Sequence, residues 1–278
     1  MPEGSRSHIV DVLIEERAPK LSGSWAWPLL RPPLYRLLDY RKAVRMADAI
    51  QPMGGRAALD FVSDLLAMDV RVRGLENLPA GGRVIVVANH PTGIADGVAV
   101  FDALKARRPD IVFYANSDAH RVSPGFDEVL IPVEWVDAKR TRERTRLTLA
   151  MTKEAMEAER ALMVFPSGRL AVRAPDGVLT DKPWMPTALS IAAKYGAPVV
   201  PMHVTGPWAT LFHFFNRFSP ELRDITLFHE LLNKRGQRFD LTIGPLIPPG
   251  AVDAEHCEAL KTYVERVLPQ EPGRAFEG

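Results

Sequence analysis

The sequence is poor in cysteine, in net charge and in metal-binding patterns, and each shortage excludes a class of protein. Cys257 stands alone among 278 residues, so neither a disulfide framework nor a cysteine-based zinc site can form within the chain. The formal charge of +1 lacks the basic excess that is usual in nucleic-acid-binding proteins, and we expect no nucleic-acid partner. No His-Glu-x-x-His or comparable ligand spacing occurs, and we expect no metal site.

Long apolar runs are missing as well. No run approaches the ~18 apolar residues that a membrane-spanning helix needs. The beginning of the chain contains Glu15, Glu16 and Arg17 in place of an apolar secretory segment. With 46% hydrophobic and 25% charged residues, the composition is that of a globular protein with a sizeable core. We therefore expect a cytoplasmic protein that does not cross a membrane, and binding at a membrane surface stays open.

The stretch from Val84 to Val100, VIVVANHPTGIADGVAV, organises the rest of the chain. Its apolar beginning, Val84 to Val87, has the length of a buried strand and ends abruptly in polar residues. His90 therefore lies at the carboxyl end of a strand. In open α/β sheets, that end is where ligands bind.

The same stretch contains a candidate catalytic pair, His90 and Asp96. On one continuous helix the two residues would lie ~240° apart around the axis, so they can meet only across a bend. Pro91 and Gly93 supply this bend before a helix that we expect from Ile94 to Ala106. A histidine held by a carboxylate is the usual general base near neutral pH. The alternative is structural, with a histidine at a strand end and an aspartate in the first helical turn.

Strands and helices alternate along most of the chain. The apolar patterns predict strands at residues 70–74, 84–87, 111–114, 129–135, 162–165, 199–204 and 239–243, and helices at 94–106, 137–159, 185–195 and 254–267. This alternation predicts an α/β fold with a mainly parallel central sheet flanked by helices. We expect an N-terminal helical segment at residues 1–68 and the α/β domain at residues 69–278.

The N-terminal segment has three parts. Residues 1–23 are polar, and we expect them to be frayed or loosely docked. Residues 25–42 combine tryptophan and leucine with arginine, which is typical of a segment in a bilayer interface and also of an amphipathic helix packed on its own domain. Both interpretations stay open at this point. A second helical stretch is expected at residues 43–68.

Two later stretches also allow a functional and a structural interpretation. Basic residues gather at the start of the predicted helix 137–159, where they oppose the helix dipole: Lys139, Arg140, Arg142, Arg144 and Arg146. Basic residues in this position are suited to binding an acidic carrier protein, a phosphopantetheine phosphate or anionic lipid. The alternative is a solvated charged face. Residues 207–232 are rich in phenylalanine, leucine and tryptophan, and they form either core or the wall of an acyl-chain groove or bilayer contact.

Three motifs carry a family resemblance. Asn89-His90 followed by Asp96 resembles motif I of the glycerolipid acyltransferases, the lysophosphatidic acid acyltransferase-like superfamily. Residues 162–169, LMVFPSGR, are similar to the family's Phe-Pro-Glu-Gly-Thr-Arg block. Residues 197–202, APVVPM, are similar to the family's proline-containing strand. The order and spacing of these motifs agree over most of the chain.

The chain departs from the family pattern at three points. There is one residue more than usual between His90 and Asp96, Ser167 stands in place of the glutamate, and Arg169 comes one place early. The stretches HPTGIADG, LLNKRG and RFSPELR resemble the haemolysin-like and ornithine-lipid branch more than the phosphatidic acid branch. The branch bears on the identity of the acceptor more than on the chemistry.

The resemblance implies a lipid acyltransferase with the glycerolipid acyltransferase fold. His90, oriented by Asp96, would remove the proton from the hydroxyl or amine of a lyso-lipid-type acceptor as it attacks the thioester of acyl-CoA or acyl carrier protein. No cofactor besides this donor is implied, and we expect the protein to bind peripherally to the cytoplasmic face of the membrane. The matching motifs imply these substrate-binding residues: Asn89, Phe165, Pro166, Ser167, Gly168, Arg169 and Lys182.

Residues 166–169, PSGR, allow several roles. Ser167 lacks the Gly-x-Ser-x-Gly elbow that exposes a hydrolase serine, so we reject it as a nucleophile. Backbone N–H groups in the loop around Gly168 are expected to bind the oxyanion. Arg169, with Arg173 nearby, offers a forked donor to an anionic group of the acceptor. The alternative for either arginine is a solvated surface side chain.

Two other functions stay open. In a thioester or phospholipid hydrolase, His90 would activate water in place of an acceptor. In a non-catalytic lipid-binding or membrane-recruitment module, the same scaffold would bind lipid without turnover. The extra residue before Asp96 and the serine at position 167 keep this second alternative open.

Overall fold

The fold is seen in a computed structural model that describes residues 7–134, 141–173 and 179–278. Its strands are β1 (Asp69–Arg73), β2 (Val84–Ala88), β3 (Val112–Asn116), β4 (Leu130–Val133), β5 (Ala161–Val164), β6 (Val172–Arg173), β7 (Leu179–Thr180), β8 (Val199–Thr205) and β9 (Arg238–Ile243). Seven of them form the central sheet in the order β1-β9-β8-β2-β5-β3-β4, and β6 pairs with β7 in a second, two-stranded antiparallel sheet. Within the described ranges, the neighbours in the central sheet are parallel except for the antiparallel pair β8 and β9. The predicted α/β fold with a mainly parallel sheet is confirmed.

Helices cover both faces of this sheet. They are α1 (Ile9–Arg17), α2 (Pro19–Ser22), α3 (Trp27–Leu37), α4 (Tyr40–Ile50), α5 (Gly55–Leu66), α6 (Ile94–Leu104), α7 (Asp118–Val122), α8 (Arg142–Glu157), α9 (Thr187–Tyr195), α10 (Thr210–Phe215), α11 (Pro220–Asp224), α12 (Leu227–Leu232) and α13 (Cys257–Thr262). Short 3₁₀ turns lie at Leu75–Asn77, Pro124–Glu128 and Ala254–His256, and a π-helical turn at Tyr263–Val267 follows α13. The predicted closing helix 254–267 is therefore present as three consecutive helical segments, a 3₁₀ turn, an α-helix and a π-helical turn.

Burial explains the sequence of the central strand. Every residue of β2 is buried, because β2 lies in the middle of the sheet with helices on both faces. Val84, Val86 and Ala88 belong to one apolar cluster, and Ile85 and Val87 belong to the other. The first cluster lies on the side of α1, α4, α5 and α6, and the second on the side of α8, α9 and α13. The end of β2 thus opens between two packed layers.

The expectation of a frayed N-terminus is wrong for the described residues. Helix α1 buries Val10, Leu13 and Ile14 in the cluster shared with α6. Asp11 is also buried, and its carboxylate accepts hydrogen bonds from Arg31, Tyr35 and Tyr40. The apolar stripe of α1 is only three residues long and is flanked by charges. The helix is stabilised by its tertiary contacts, which the local sequence does not reveal.

Two further boundaries differ from the predicted ones. The stretch 43–68 is interrupted: α4 ends at Ile50 and α5 begins at Gly55, because Pro52 cannot continue a helix. The predicted strand 129–135 ends at Val133, and the predicted helix 137–159 begins at Arg142. Residues 135–140, with Lys139 and Arg140, lie outside the described residues.

Helix α3 divides the residues 25–42 between two environments. Trp27 and Tyr35 are buried, whereas Trp25 and Leu29 are 88% and 73% exposed. One side of this segment therefore packs on the protein and the other side faces outward. Among the helices that the structure describes, none is long and apolar enough to cross a membrane.

Candidate active site

The side chains of His90 and Asp96 are joined at the carboxyl end of β2. His90 follows the strand by two residues, and Asp96 lies in the first turn of α6. The distance between His90 Nδ1 and Asp96 Oδ2 is 2.9 Å. The Asp96 side chain is fully buried, while that of His90 is 16% exposed. The His90 ring is therefore partly accessible to solvent, whereas the Asp96 carboxylate is shielded from it.

The bend between the two residues is built by Pro91, Thr92 and Gly93. Gly93 has a φ of +96°, a conformation that side chains rarely adopt. In this turn the N–H groups of Thr92 and Gly93 donate to Asp96 Oδ2 at 2.8 and 3.0 Å. The Thr92 hydroxyl donates to Asp96 Oδ1 at 2.5 Å. The bend that the sequence predicts is present, and it also supplies the hydrogen-bond donors of the carboxylate.

These donors decide the tautomer of His90. A carboxylate is only an acceptor, and Asp96 already accepts from two backbone N–H groups and one hydroxyl. The His90 nitrogen that contacts it must therefore carry the proton, which leaves a lone pair on Nε2. The arrangement can take up a proton at Nε2 and stabilise the resulting imidazolium through Asp96.

Two neighbouring strands hold this ring and its backbone. The ring of Phe165, which follows β5, stacks on that of His90 with centroids 4.3 Å apart and planes inclined by 24°. Asn89 is buried, and its side-chain amide bridges to the backbone of Val204 in β8, donating at 2.9 Å and accepting at 2.7 Å. The Asn89 side chain thus ties β2 to β8.

The loop after β5 has its own internal bonds. Gly168 adopts a φ of +60°, and its N–H donates to the Phe165 carbonyl at 3.0 Å. The Ser167 hydroxyl donates to the Arg169 carbonyl at 2.8 Å, so it has a structural partner within the loop. Pro166 is buried and its carbonyl accepts from the Met185 N–H at 3.0 Å. The Arg169 side chain is exposed.

Asp181 is a site residue that the sequence reasoning missed. It is buried, and its Oδ1 accepts the backbone N–H of His90 at 3.1 Å. Its Oδ2 accepts the indole N–H of Trp184 at 2.9 Å. Burial raises the pKa of Asp181 to about 6, against the opposing effect of these hydrogen bonds. Lys182, the predicted binding residue next to it, is exposed.

A stack of side chains borders the turn on the side of β8. Gly206 packs so closely against Thr92 that a Cβ atom there would lie 2.7 Å from the threonine methyl. Two residues later, the Trp208 ring stacks on His213 at 3.7 Å between centroids. The Arg173 guanidinium lies over the Trp208 ring at 4.7 Å from its centroid. Strand β2 lies between β5 and β8, so this contact joins the loops on either side of the His90 strand.

The thiol of Cys257 is poorly placed to act as a nucleophile. Cys257 is buried with its thiol donating to the Trp184 carbonyl at 3.4 Å, and burial raises the pKa of this thiol. A buried, protonated thiol is a poor nucleophile. Within residues 7–134, 141–173 and 179–278, no three His, Cys, Asp or Glu side chains are grouped as a metal site would require.

Comparison with known proteins assigns a family to this geometry. The sequence profile of the family described as Acyltransferase matches residues 69–205, which include both halves of the His90–Asp96 pair and the loop after β5. This match and the two relatives described below support the glycerolipid acyltransferase superfamily for this chain. It is thus an acyltransferase, as the motifs imply.

Two relatives of this acyltransferase carry the name lyso-glycine lipid O-acyltransferase. One is from Phocaeicola vulgatus, 28% identical over 202 residues that cover 69% of this chain and 70% of the relative. The other is from Bacteroides thetaiotaomicron, 26% identical over 220 residues that cover 75% of this chain and 79% of the relative. The solved structure of PlsC, the 1-acyl-sn-glycerophosphate (LPA) acyltransferase from Thermotoga maritima, aligns with 97% of this chain and 98% of its own, at 17% identity and a TM-score of 0.49.

Proposed function

We propose that this acyltransferase moves a fatty acyl group from a thioester to the hydroxyl of a lyso-lipid, with His90 as the general base. The observation that carries the proposal is the hydrogen bond of 2.9 Å between His90 Nδ1 and the fully buried Asp96. A non-catalytic lipid-binding module has no need for a histidine in a fixed tautomer. The intact pair therefore favours an enzyme over that alternative.

The proposed reaction has one attack and one departure. His90 Nε2 takes the proton of the acceptor hydroxyl as its oxygen attacks the thioester carbonyl. The carbon–sulfur bond then breaks, an ester forms, and the proton on Nε2 passes to the departing thiolate. Backbone N–H groups of the loop after β5 stabilise the oxyanion; the Gly168 N–H is bound to Phe165, so we assign this role to its neighbours. The reaction needs no cofactor besides the acyl donor.

The acceptor that we propose is an acylated amino acid with a free hydroxyl. Two relatives are named for O-acylation of a lyso-glycine lipid, which favours transfer to oxygen over transfer to nitrogen. Such a lipid carries an anionic head group, and the exposed Arg169 follows the His90-stacking Phe165 closely enough in the chain to meet it. The donor is an acyl chain on phosphopantetheine, which coenzyme A and acyl carrier protein share.

We also propose that the protein binds peripherally to the cytoplasmic face of the membrane. Outward-facing apolar side chains lie on two adjoining segments: Trp25, Leu29, Leu30, Phe214 and Phe218. The two segments are residues 25–30, which follow α2, and residues 214–218, which precede α11. Helices α2 and α11 are in contact, because Glu221 of α11 accepts the backbone N–H groups of Lys20 and Leu21 in α2. We call these five side chains the apolar rim. Exposed arginines beside it, Arg36 and Arg217, suit an anionic lipid surface.

One assay tests the proposed reaction. A labelled acyl thioester is offered with a panel of lyso-lipids that includes an N-(hydroxyacyl) amino acid and a lysophosphatidic acid, and free fatty acid is quantified in the same samples. We expect new acyl ester on the amino-acid lipid. Free fatty acid without any ester would assign the protein to the hydrolases, and binding of lipid without turnover would assign it to the non-catalytic modules.

A further inference from the structure

Asp181 is the second buried carboxylate that contacts His90, and the proposed mechanism leaves it without a role. We propose that ionised Asp181 is a positioning residue, which fixes the backbone of His90 and supports the positive charge that the ring gains during transfer. This inference rests on the proposed function, because it acts through His90 as the base. Asp181 does not touch the acyl group or the acceptor in this role.

The contacts of Asp181 require acceptors on both of its oxygens. Oδ1 accepts from the His90 N–H at 3.1 Å, and Oδ2 accepts from the Trp184 indole at 2.9 Å. Neither of these donors can accept a hydrogen bond in return. The deprotonated carboxylate accepts from both donors. A protonated carboxyl group, or the amide of an asparagine, places a donor of its own against the His90 N–H or the Trp184 indole N–H.

The peptide groups of His90 are held from two sides by one segment. Its N–H donates to Asp181, and its carbonyl accepts the N–H of Ala171 at 2.9 Å. Ala171 precedes β6 and Asp181 follows β7, so the two contacts flank the same antiparallel pair of strands. This strand pair is therefore tied to the backbone of His90, and loss of the Asp181 contact removes one of the two ties.

Charged groups around Asp181 make its role depend on pH. The backbone N–H of Asp181 donates to Glu265 at 2.6 Å, and Lys261 holds that carboxylate at 3.0 Å. The other charged or titratable groups near it are His90 and, beyond that ring, Asp96, together with the adjacent Lys182 and with Arg266, which donates to Thr180. Burial, with the charge of Glu265, raises the pKa of Asp181 to about 6. Asp181 is thus charged at neutral pH and loses its charge in mild acid.

The test compares two variants across pH. Asp181→Asn keeps the size of the side chain but places an N–H against an N–H donor. We expect kcat at pH 7.5 to fall roughly 10- to 100-fold, because a small displacement of a catalytic group has effects of this size, while the KM for the lyso-lipid changes little. Trp184→Phe removes one donor and so raises the pKa of Asp181 further; its loss of activity on the acid side should begin at higher pH than in the wild type.

The acid side of the pH profile separates a positioning role from a structural one. In the wild type Asp181 must be deprotonated, so log kcat should fall below about pH 6 as this carboxylate takes up a proton. In Asp181→Asn this contribution to the acid side should be absent. Asp110→Asn is the matched control: this carboxylate accepts a backbone N–H, that of Ala161, at the opposite end of the sheet, and kcat should stay unchanged.

Three outcomes would overturn the inference. They are an unchanged kcat in Asp181→Asn, a reduced kcat with a wild-type pH profile, and an unshifted acid side in Trp184→Phe. If Asp181→Asn fails to fold, the Trp184→Phe profile alone decides. Full activity of a His90→Ala variant would instead refute the proposed function, so the two failures are distinguishable.

Discussion

Thr92 donates to Asp96 twice, with its hydroxyl to Oδ1 at 2.5 Å and with its backbone N–H to Oδ2 at 2.8 Å. The donors lie in the turn that separates Asp96 from His90. The turn therefore does more than bring together the two side chains that we propose to be catalytic. The donors of the turn bind the Asp96 carboxylate, which acts only as a hydrogen-bond acceptor. The proton between Asp96 and His90 therefore resides on His90 Nδ1.

Asp96→Asn should lower kcat by about 10²–10⁴-fold while leaving the KM for the acceptor nearly unchanged. The amide keeps the volume but cannot accept from all of its present donors, and its N–H group favours the wrong tautomer of His90. Steady-state kinetics with the lyso-lipid and acyl thioester measures the loss. Thr92→Val, which removes only the hydroxyl, should give a smaller loss; equal losses in the two variants would contradict the tautomer argument.

Gly93→Ala should reduce both stability and activity. The φ of +96° at this position is costly for any side chain, about 1–3 kcal/mol, and the turn carries an N–H donor to Asp96. Gly82→Ala is the matched control, because Gly82 has a φ of +77° with open space around it and lies at the opposite end of β2 from the turn at Gly93. Chemical denaturation should show destabilisation in both variants, and acyl transfer should fall only in Gly93→Ala. Unaltered kcat in Gly93→Ala would show that the turn does not need this conformation.

Asp181 should make the free energy of unfolding depend on pH. Its pKa is raised to about 6 in the folded protein from an ordinary value of 3.8, so the folded state binds the proton more tightly. The favourable contribution is complete below about pH 3.8 and is lost as pH rises through about 6, a change of about 3 kcal/mol. We expect the unfolding free energy of the wild type, relative to Asp181→Asn, to rise as pH falls from 7 to 4. A difference that is constant over this range would contradict the raised pKa.

The apolar rim should mediate membrane binding. Trp25→Asp combined with Leu29→Asp should weaken sedimentation with phosphatidylglycerol-containing vesicles by at least about tenfold, since each side chain loses its burial in lipid. Leu149→Asp is the control, because Leu149 is 61% exposed on α8, away from the rim in the chain. Equal binding by the rim variant and the wild type would exclude this surface, and an equal loss in the control would point to an unspecific effect.

The His90–Asp96 pair could be predicted because all of its determinants are local. An apolar run, a proline and a glycine lie within a few residues of the pair, so the strand, the bend and the helix follow from the sequence. Asp181 could not be found in this way. It is 91 residues away from His90 and binds a backbone N–H, a contact that leaves no pattern of side chains.

The fold shows the same division between local and distant determinants. The apolar sequence of β2 predicts a central strand, and the alternation of valine and arginine in β1 predicts an edge strand. The burial of β2 and the alternating exposure of β1 agree with these predictions. Helix α1 was not predictable because its short apolar stripe is stabilised by packing against α4 and α7. The antiparallel run of β9 beside β8 also depends on the connection through α10 to α12, whose path the local pattern does not define.

The most direct measurement is single-turnover acyl transfer to the lyso-lipid by the wild type, His90→Ala and His229→Ala. His229 is the matched control, because its Nδ1 lies 3.0 Å from Asp39 Oδ2 and its side chain has the same 16% exposure as that of His90, but it lies on α12. Loss of transfer by about 10²–10⁴-fold in His90→Ala alone, with all three proteins equally folded, is the expected result. Wild-type turnover by His90→Ala would contradict general-base catalysis at this site.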